Sequence, residues 1–188
     1  NLLVVTDHIQ AVFTRQVEEP KQEEKLKPQI PILGEITDSI SSEVRTQYEE
    51  SPYPRWVNLG FHLKPMSISK TVDEIPLKLH DNRIEELEKP EILIAGCGTG
   101  QHSIGTAKRF KDSKVVAIDL SLSSLAYAKR KTEELAIENI EYMQADILGL
   151  SQLNKKFDII ESAGVLHHMG NPMAGWKVLA DCLKLGGL

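Results

Sequence analysis

The sequence predicts an α/β protein: a doubly wound parallel sheet covered by helices, with a helical N-terminal extension. Three observations carry this. After Lys89-Pro90, short apolar runs alternate with longer amphipathic stretches. Three glycines, Gly96, Gly98 and Gly100, follow the first of those runs and open the next amphipathic stretch. Before that point the pattern is irregular, and eight of the nine prolines lie at or before Pro90. The chain therefore divides into an extension over residues 1–89 and a sheet domain over 90–188.

Taken in order, residues 2–17 read as a helix with apolar positions at Val5, Ile9, Val12 and Phe13. Residues 18–27 mix both charges densely and read as a solvated helix end or linker. A second helix spans 38–48, stopped by Pro52 and Pro54. Thr71 and Glu74 have capping-box spacing, so a short helix starts there, limited by Pro76. Residues 92–95 form a buried strand, 102–110 a helix and 114–119 a second strand. A helix over 122–135 places Leu125, Ala128 and Leu135 on related faces. Residues 140–143 and 157–160 are the third and fourth strands, and 173–183 a final helix in which Trp176 packs.

Composition narrows the function. The 188 residues carry 22 Lys and Arg against 27 Asp and Glu, a net charge of -5. An acidic chain without a basic stripe argues against nucleic acid and anionic membrane as partners. Cys97 and Cys182 make no disulfide framework, which fits a reducing, cytoplasmic compartment. No apolar run reaches membrane-spanning length, and the early Asp7 with no basic flank does not read as a signal peptide. The first residue is Asn1, not Met, so the chain reads as a piece of a longer protein.

The strongest functional signal is the segment Ile94-Ala95-Gly96-Cys97-Gly98-Thr99-Gly100-Gln101-His102. It follows a strand, opens a helix, and Asp119 ends the next strand nineteen residues after Gly100. That combination marks a nucleotide-cofactor site. The spacing is G-x-G-x-G, with Gln101 where the dinucleotide pattern has its third glycine, and no Lys follows as in a P-loop. A ligand with a carboxylate, a ribose and an adenine suits it. Helix-start amides receive the carboxylate, and an ionised Asp119 accepts from both ribose hydroxyls.

These residues resemble the class I S-adenosylmethionine-dependent methyltransferases over about residues 91–188. The resemblance implies a Rossmann-like sheet ordered third, second, first, fourth strand, with the family's later strands beyond residue 188 and the fourth strand left as a bare edge for self-association. It implies that Gly96, Gly98 and Gly100 approach the methionine part of the cofactor and that Asp119 holds the ribose, with Cys97, His102 and Leu120 among the cofactor-binding residues. Ala145 and Asp146 resemble the adenine-contacting motif, and Glu161 and Ser162 the end of the fourth strand facing cofactor or substrate. Ile94 stands where many members carry an acid. Residues 95–102, with 48–56 upstream, also resemble methyltransferase domains attached to tetratricopeptide repeats.

His167 and His168 are candidates for a general base or substrate contact. Being adjacent, they point different ways and hold no metal together, so no metal is expected. Tyr48, Tyr53, Arg55 and Trp56 form either a lid wall or, for Tyr53 and Trp56, anchors of the extension. Cys97 reads as a small packing residue. The expected reaction is methyl transfer from S-adenosylmethionine to a small molecule or protein. Its rivals are a non-catalytic binding module and a nicotinamide oxidoreductase. An Asn-Pro-Pro-Tyr motif of base methylases is absent, Asn171-Pro172-Met173 only beginning like one.

Overall fold

The computed structural model describes residues 6–60, 64–74, 78–79, 82–110 and 112–188. In chain order the first half holds α1 (Asp7–Phe13), α2 (Glu19–Leu26), β1 (Ile32–Leu33), α3 (Ser39–Glu50) and α4 (Ile68–Glu74). The second half holds β2 (Glu91–Ala95), α5 (Gln101–Arg109), β3 (Lys114–Asp119), α6 (Leu122–Glu134), β4 (Ile140–Ala145), β5 (Ile159–Glu161) and α7 (Pro172–Asp181). The five strands form one parallel sheet ordered β1-β4-β3-β2-β5.

The four expected strands stand in the expected order, and β1 is an addition to it. Ile32 and Leu33 pair with Gln144 and Ala145 and extend the sheet beyond β4. Two residues carry too little pattern to be read as a strand; the partner makes them one. The sheet centre follows directly from composition. Ile92, Leu93, Ile94 and Ala95 are each 0% exposed, because helices cover both faces of a parallel sheet.

The expected bare edge is corrected. The chain after α7 runs back along β5: Phe157 N donates to Cys182 O at 2.9 Å, and Ile160 N to Leu188 O at 2.8 Å. Lys184 fastens this segment through Glu91 at 2.9 Å and Asp158 at 3.0 Å. Helix α7 buries Gly175 and Leu179, but Trp176 is 62% exposed, so its expected packing does not occur.

The N-terminal helices also differ from expectation. Residues 2–5 lie outside the described residues, and on α1 Ile9 and Val12 face solvent. A π-helical turn, Thr14–Glu18, joins α1 to α2 just ahead of Pro20, which lacks the N–H a regular ladder needs. The charged stretch read as a solvated helix end or linker is helix α2, and rather than being wholly solvated it is bolted to the sheet domain. Buried Glu23 accepts from Arg130 Nε at 3.0 Å, and Glu19 reaches the same guanidinium at 3.1 Å. Arg130 also lies over the Tyr127 ring, 4.9 Å from its centre. Helix α4 begins at Ile68, three residues before the expected start, with Thr71 bonding back to the carbonyl of Ser67; Pro76 lies outside the described residues.

Candidate functional site

At the carboxyl ends of the strands, a cavity of about 500 Å³ opens between the glycine loop, α3 and residues 163–169. Strand β2 ends at Ala95, and Gly96 turns the chain with φ 79°. Gly96 N and Cys97 N both donate to Ile118 O at 2.9 Å, which pins the loop to β3. A side chain at Gly96 would place Cβ 2.2 Å from Val165, so the loop after β5 sits directly on this glycine.

Gly98 closes the same turn against Asp119. Its N–H donates to Asp119 Oδ2 at 2.8 Å, and Ser121 N donates to Oδ1 at 3.0 Å. Each carboxylate oxygen keeps a further lone pair for a ligand. Burial raises the Asp119 carboxyl above its ordinary value, against the pull of these N–H groups. Burial likewise pushes the Cys97 thiol well up, which suits a packing residue rather than a nucleophile. Close by, Ser124 lines the cavity at 1% exposure, and its hydroxyl is buried without a hydrogen-bond partner. An orphan hydroxyl beside an acceptor-rich carboxylate marks a place for a polar ligand.

Among the other expected cofactor residues, Gly96, Cys97, Gly98, His102, Leu120, Ala145 and Asp146 border the cavity. Asp146 Oδ1 also accepts from Leu148 N at 2.9 Å, capping the short 3-10 helix after β4. Three expected residues stand off the cavity. Gly100 faces α6, where an added Cβ would lie 2.6 Å from Ala128 Cβ; its glycine serves close helix packing. Glu161 turns to α5, and Ser162 Oγ donates to Ala95 O at 3.1 Å.

The aromatic segment divides. Tyr48 and Tyr53 border the cavity, whereas Arg55 and Trp56 do not. Trp56 is 8% exposed and its Nε1 donates to Thr99 O at 3.0 Å. Tyr127 donates its hydroxyl to the Trp56 carbonyl, and Thr99 donates its own to Pro54 O. Trp56 is thus an anchor that holds the glycine loop from behind. Arg55 turns away to Glu23, 3.4 Å off. His168 borders the cavity and His167 does not. Their rings lie 4.0 Å apart, so the expectation that they diverge is corrected: the 3-10 turn at Leu166–His168 sets them side by side. Among the described residues no cluster suited to a metal ion occurs.

Helix α3 supplies what the sequence reading lacked. Ser41, Val44 and Tyr48 face the cavity at three- and four-residue spacing, a helical face that was open to recognition. Glu49 then caps α6, accepting from Leu122 N at 2.5 Å and from Ser123 N at 3.1 Å. A carboxylate at a helix N-terminus is favoured by the amides and the dipole there, so α3 is held down across the cavity.

Residues 92–187 match the family model described as a methyltransferase domain. The chain belongs to that methyltransferase family. It is 31% identical over 132 residues to the ubiquinone biosynthesis O-methyltransferase of Coxiella burnetii, covering 70% of this chain and 53% of that protein. It is 36% identical over 107 residues to the uncharacterized protein syc1184_c of a Synechococcus strain, covering 56% of this chain and 26% of that one. The chain thus spans about a quarter to half of these relatives' lengths. Among solved structures, magnesium protoporphyrin IX methyltransferase of Synechocystis with bound S-adenosylmethionine superposes with a TM-score of 0.55 at 22% identity, covering 80% of this chain and 75% of that chain. That likeness places the fold. No helix among the described residues is long and apolar enough to cross a membrane.

Proposed function

We propose that this domain binds S-adenosylmethionine and transfers its methyl group to a small molecule. The observation that supports the donor best is the Gly98–Asp119 hydrogen bond beside the unpartnered Ser124 hydroxyl. Together they offer acceptors and a donor where a ribose edge fits. Leu120, Ala145 and Asp146 then border the adenine, and the first turn of α5 receives the amino-acid end. The sulfonium brings its own leaving group. The chain's tasks are to align the acceptor with the methyl carbon and to exclude water. Tyr48, Tyr53, Val165 and Met169 build a largely apolar wall for that purpose.

A small-molecule acceptor is supported by a cavity of about 500 Å³ and by relatives that include the ubiquinone biosynthesis O-methyltransferases. The resemblance of residues 48–56 and 95–102 to domains attached to tetratricopeptide repeats supports the finer reading that this domain is of that kind. Free Cys97 and Cys182 suit a cytoplasmic setting. That His168 borders the cavity supports its reading as an acceptor contact. Calorimetric titration with S-adenosylmethionine, S-adenosylhomocysteine and NAD tests the donor. Binding of the first two and not of NAD is the expected result, and tight binding of NAD alone would reject it.

A further inference from the structure

His102 is the second residue of α5, and it lines the cavity. Its Nε2 lies 2.7 Å from Glu161 Oε2. The same oxygen accepts from the hydroxyl of fully buried Thr106 at 2.6 Å. Glu161 stands on β5 in register with Ile94 of β2, behind the cavity wall. Burial works to raise its carboxyl, but the hydrogen bonds from His102 and Thr106 and the charge of Arg109 outweigh it and hold it below the ordinary range. An ionised carboxylate only accepts, so the ring presents N–H at Nε2 and leaves Nδ1 as its acceptor nitrogen. A carboxylate on Nε2 of a cavity-lining imidazole fixes one tautomer and favours the imidazolium once a proton arrives. His168 has no such support: its ring leans on His167, and no carboxylate among the described residues pairs with either.

We propose that His102 accepts the proton of a hydroxyl-bearing methyl acceptor, with Glu161 as its positioning residue. This rests on the S-adenosylmethionine reading. In the step, a lone pair on the acceptor oxygen forms the bond to the methyl carbon. The methyl–sulfonium bond breaks, and its electron pair stays on sulfur. The hydroxyl proton passes to His102 Nδ1, and the resulting imidazolium is paired with Glu161. It returns the proton to water as products leave. The general-base role expected of His167 or His168 thereby falls to a residue expected to touch only the cofactor.

The acceptor-free test is nuclear magnetic resonance of ¹⁵N-histidine-labelled protein at about pH 8, above the ordinary histidine range, with and without S-adenosylhomocysteine. His102 is expected to carry its proton on Nε2, and its Nδ1 resonance is expected to move when the ligand binds. Glu161→Gln is expected to abolish the fixed tautomer, because an amide offers either a donor or an acceptor. A proton on Nδ1, or an Nδ1 signal indifferent to ligand, overturns the proposal whatever the acceptor. A kinetic arm uses catechol and thiophenol as probe acceptors with labelled S-adenosylmethionine. His102→Gln keeps an N–H for Glu161 but has no basic nitrogen. It is expected to slow catechol methylation roughly 10²–10⁴-fold and to slow methylation of thiophenol, which is already ionised, far less. Equal losses for both probes, or none, overturn the proposal; if neither probe is methylated, the resonance result decides. Failure of wild type to bind S-adenosylhomocysteine in calorimetry sinks the cofactor reading and this proposal together, whereas binding with the wrong tautomer sinks the proton role alone.

Discussion

Replacing Asp119 with Asn is expected to separate binding from stability at the proposed cofactor site. The carboxylate accepts from Gly98 N at 2.8 Å and Ser121 N at 3.0 Å, one on each oxygen. An amide has one oxygen, so in either orientation its NH₂ faces one of these two N–H groups. That loss is opposed by a gain. The folded carboxyl is raised above its ordinary value of 3.8, chiefly by burial. A raised acid contributes its stability fully below the unfolded value and loses it as pH rises through the folded one. At neutral pH the buried charge therefore works against the fold, and Asn removes it. The two effects offset, and unfolding free energy in urea is expected to change by less than about 1 kcal/mol. Binding has no such compensation. Hydrogen bonds to a charged acceptor are worth about 1.5–3 kcal/mol, so S-adenosylhomocysteine affinity is expected to fall roughly 10- to 150-fold. Asp146→Ala, which removes a cap on Leu148 N, is the control and is expected to lose less. An Asp119→Asn protein that binds S-adenosylhomocysteine within about twofold of wild type would refute the ribose assignment.

Three further outcomes are expected. Glu23→Ala takes away two contacts of buried Arg130 while Glu19 and Glu134 remain, so the cost is about 2–3 kcal/mol rather than that of a fully stranded charge; differential scanning calorimetry should show Tm falling by about 4–12 °C, and an unchanged Tm would show that α2 is not fastened there. Gly96→Ala meets both a positive φ and Val165 at 2.2 Å, and Val165→Ala should restore part of the lost S-adenosylhomocysteine affinity because it relieves only the clash; no recovery in the double mutant would mean backbone strain dominates. Glu91 lies below its ordinary value of 4.5, foremost through its hydrogen bond from Lys184. Its stabilisation is full above that value and is lost as pH falls below it. Lys184→Met should therefore flatten the fall of Tm on the acid side, and an unaltered acid limb would sever the link.

Much of the site was legible in the sequence because its chemistry is local. Gly96, Cys97 and Gly98 are consecutive, and Asp119 lies at the end of the next strand, so a loop and a carboxylate at adjacent strand ends follow from spacing alone. Gly100 shows the limit. Its φ of 85° was implicit in the motif, but that its missing side chain makes room for Ala128 rather than for a ligand depends on where α6 crosses. Trp56 and Tyr53 sit three residues apart with similar composition around them, yet one anchors Thr99 and the other faces the cavity. No periodicity distinguishes them, because the choice is made by the partner surface.

The sequence by itself determined the alternation of strands and helices, the glycine turn and the acidic strand end, and its resemblance to a family implied the strand order. Short apolar runs alternating with amphipathic stretches suit a parallel sheet covered on both faces, and a turn with three positive φ angles needs glycine. Tertiary structure alone decided what joins distant segments: β1 beside β4, Glu23 against Arg130, Glu49 on the start of α6, and Glu161 behind His102. Each of these is a polar pairing across dozens of residues. A charge or a two-residue strand carries no address in the sequence, and its partner is fixed only when packing of the apolar faces brings the two within hydrogen-bond distance.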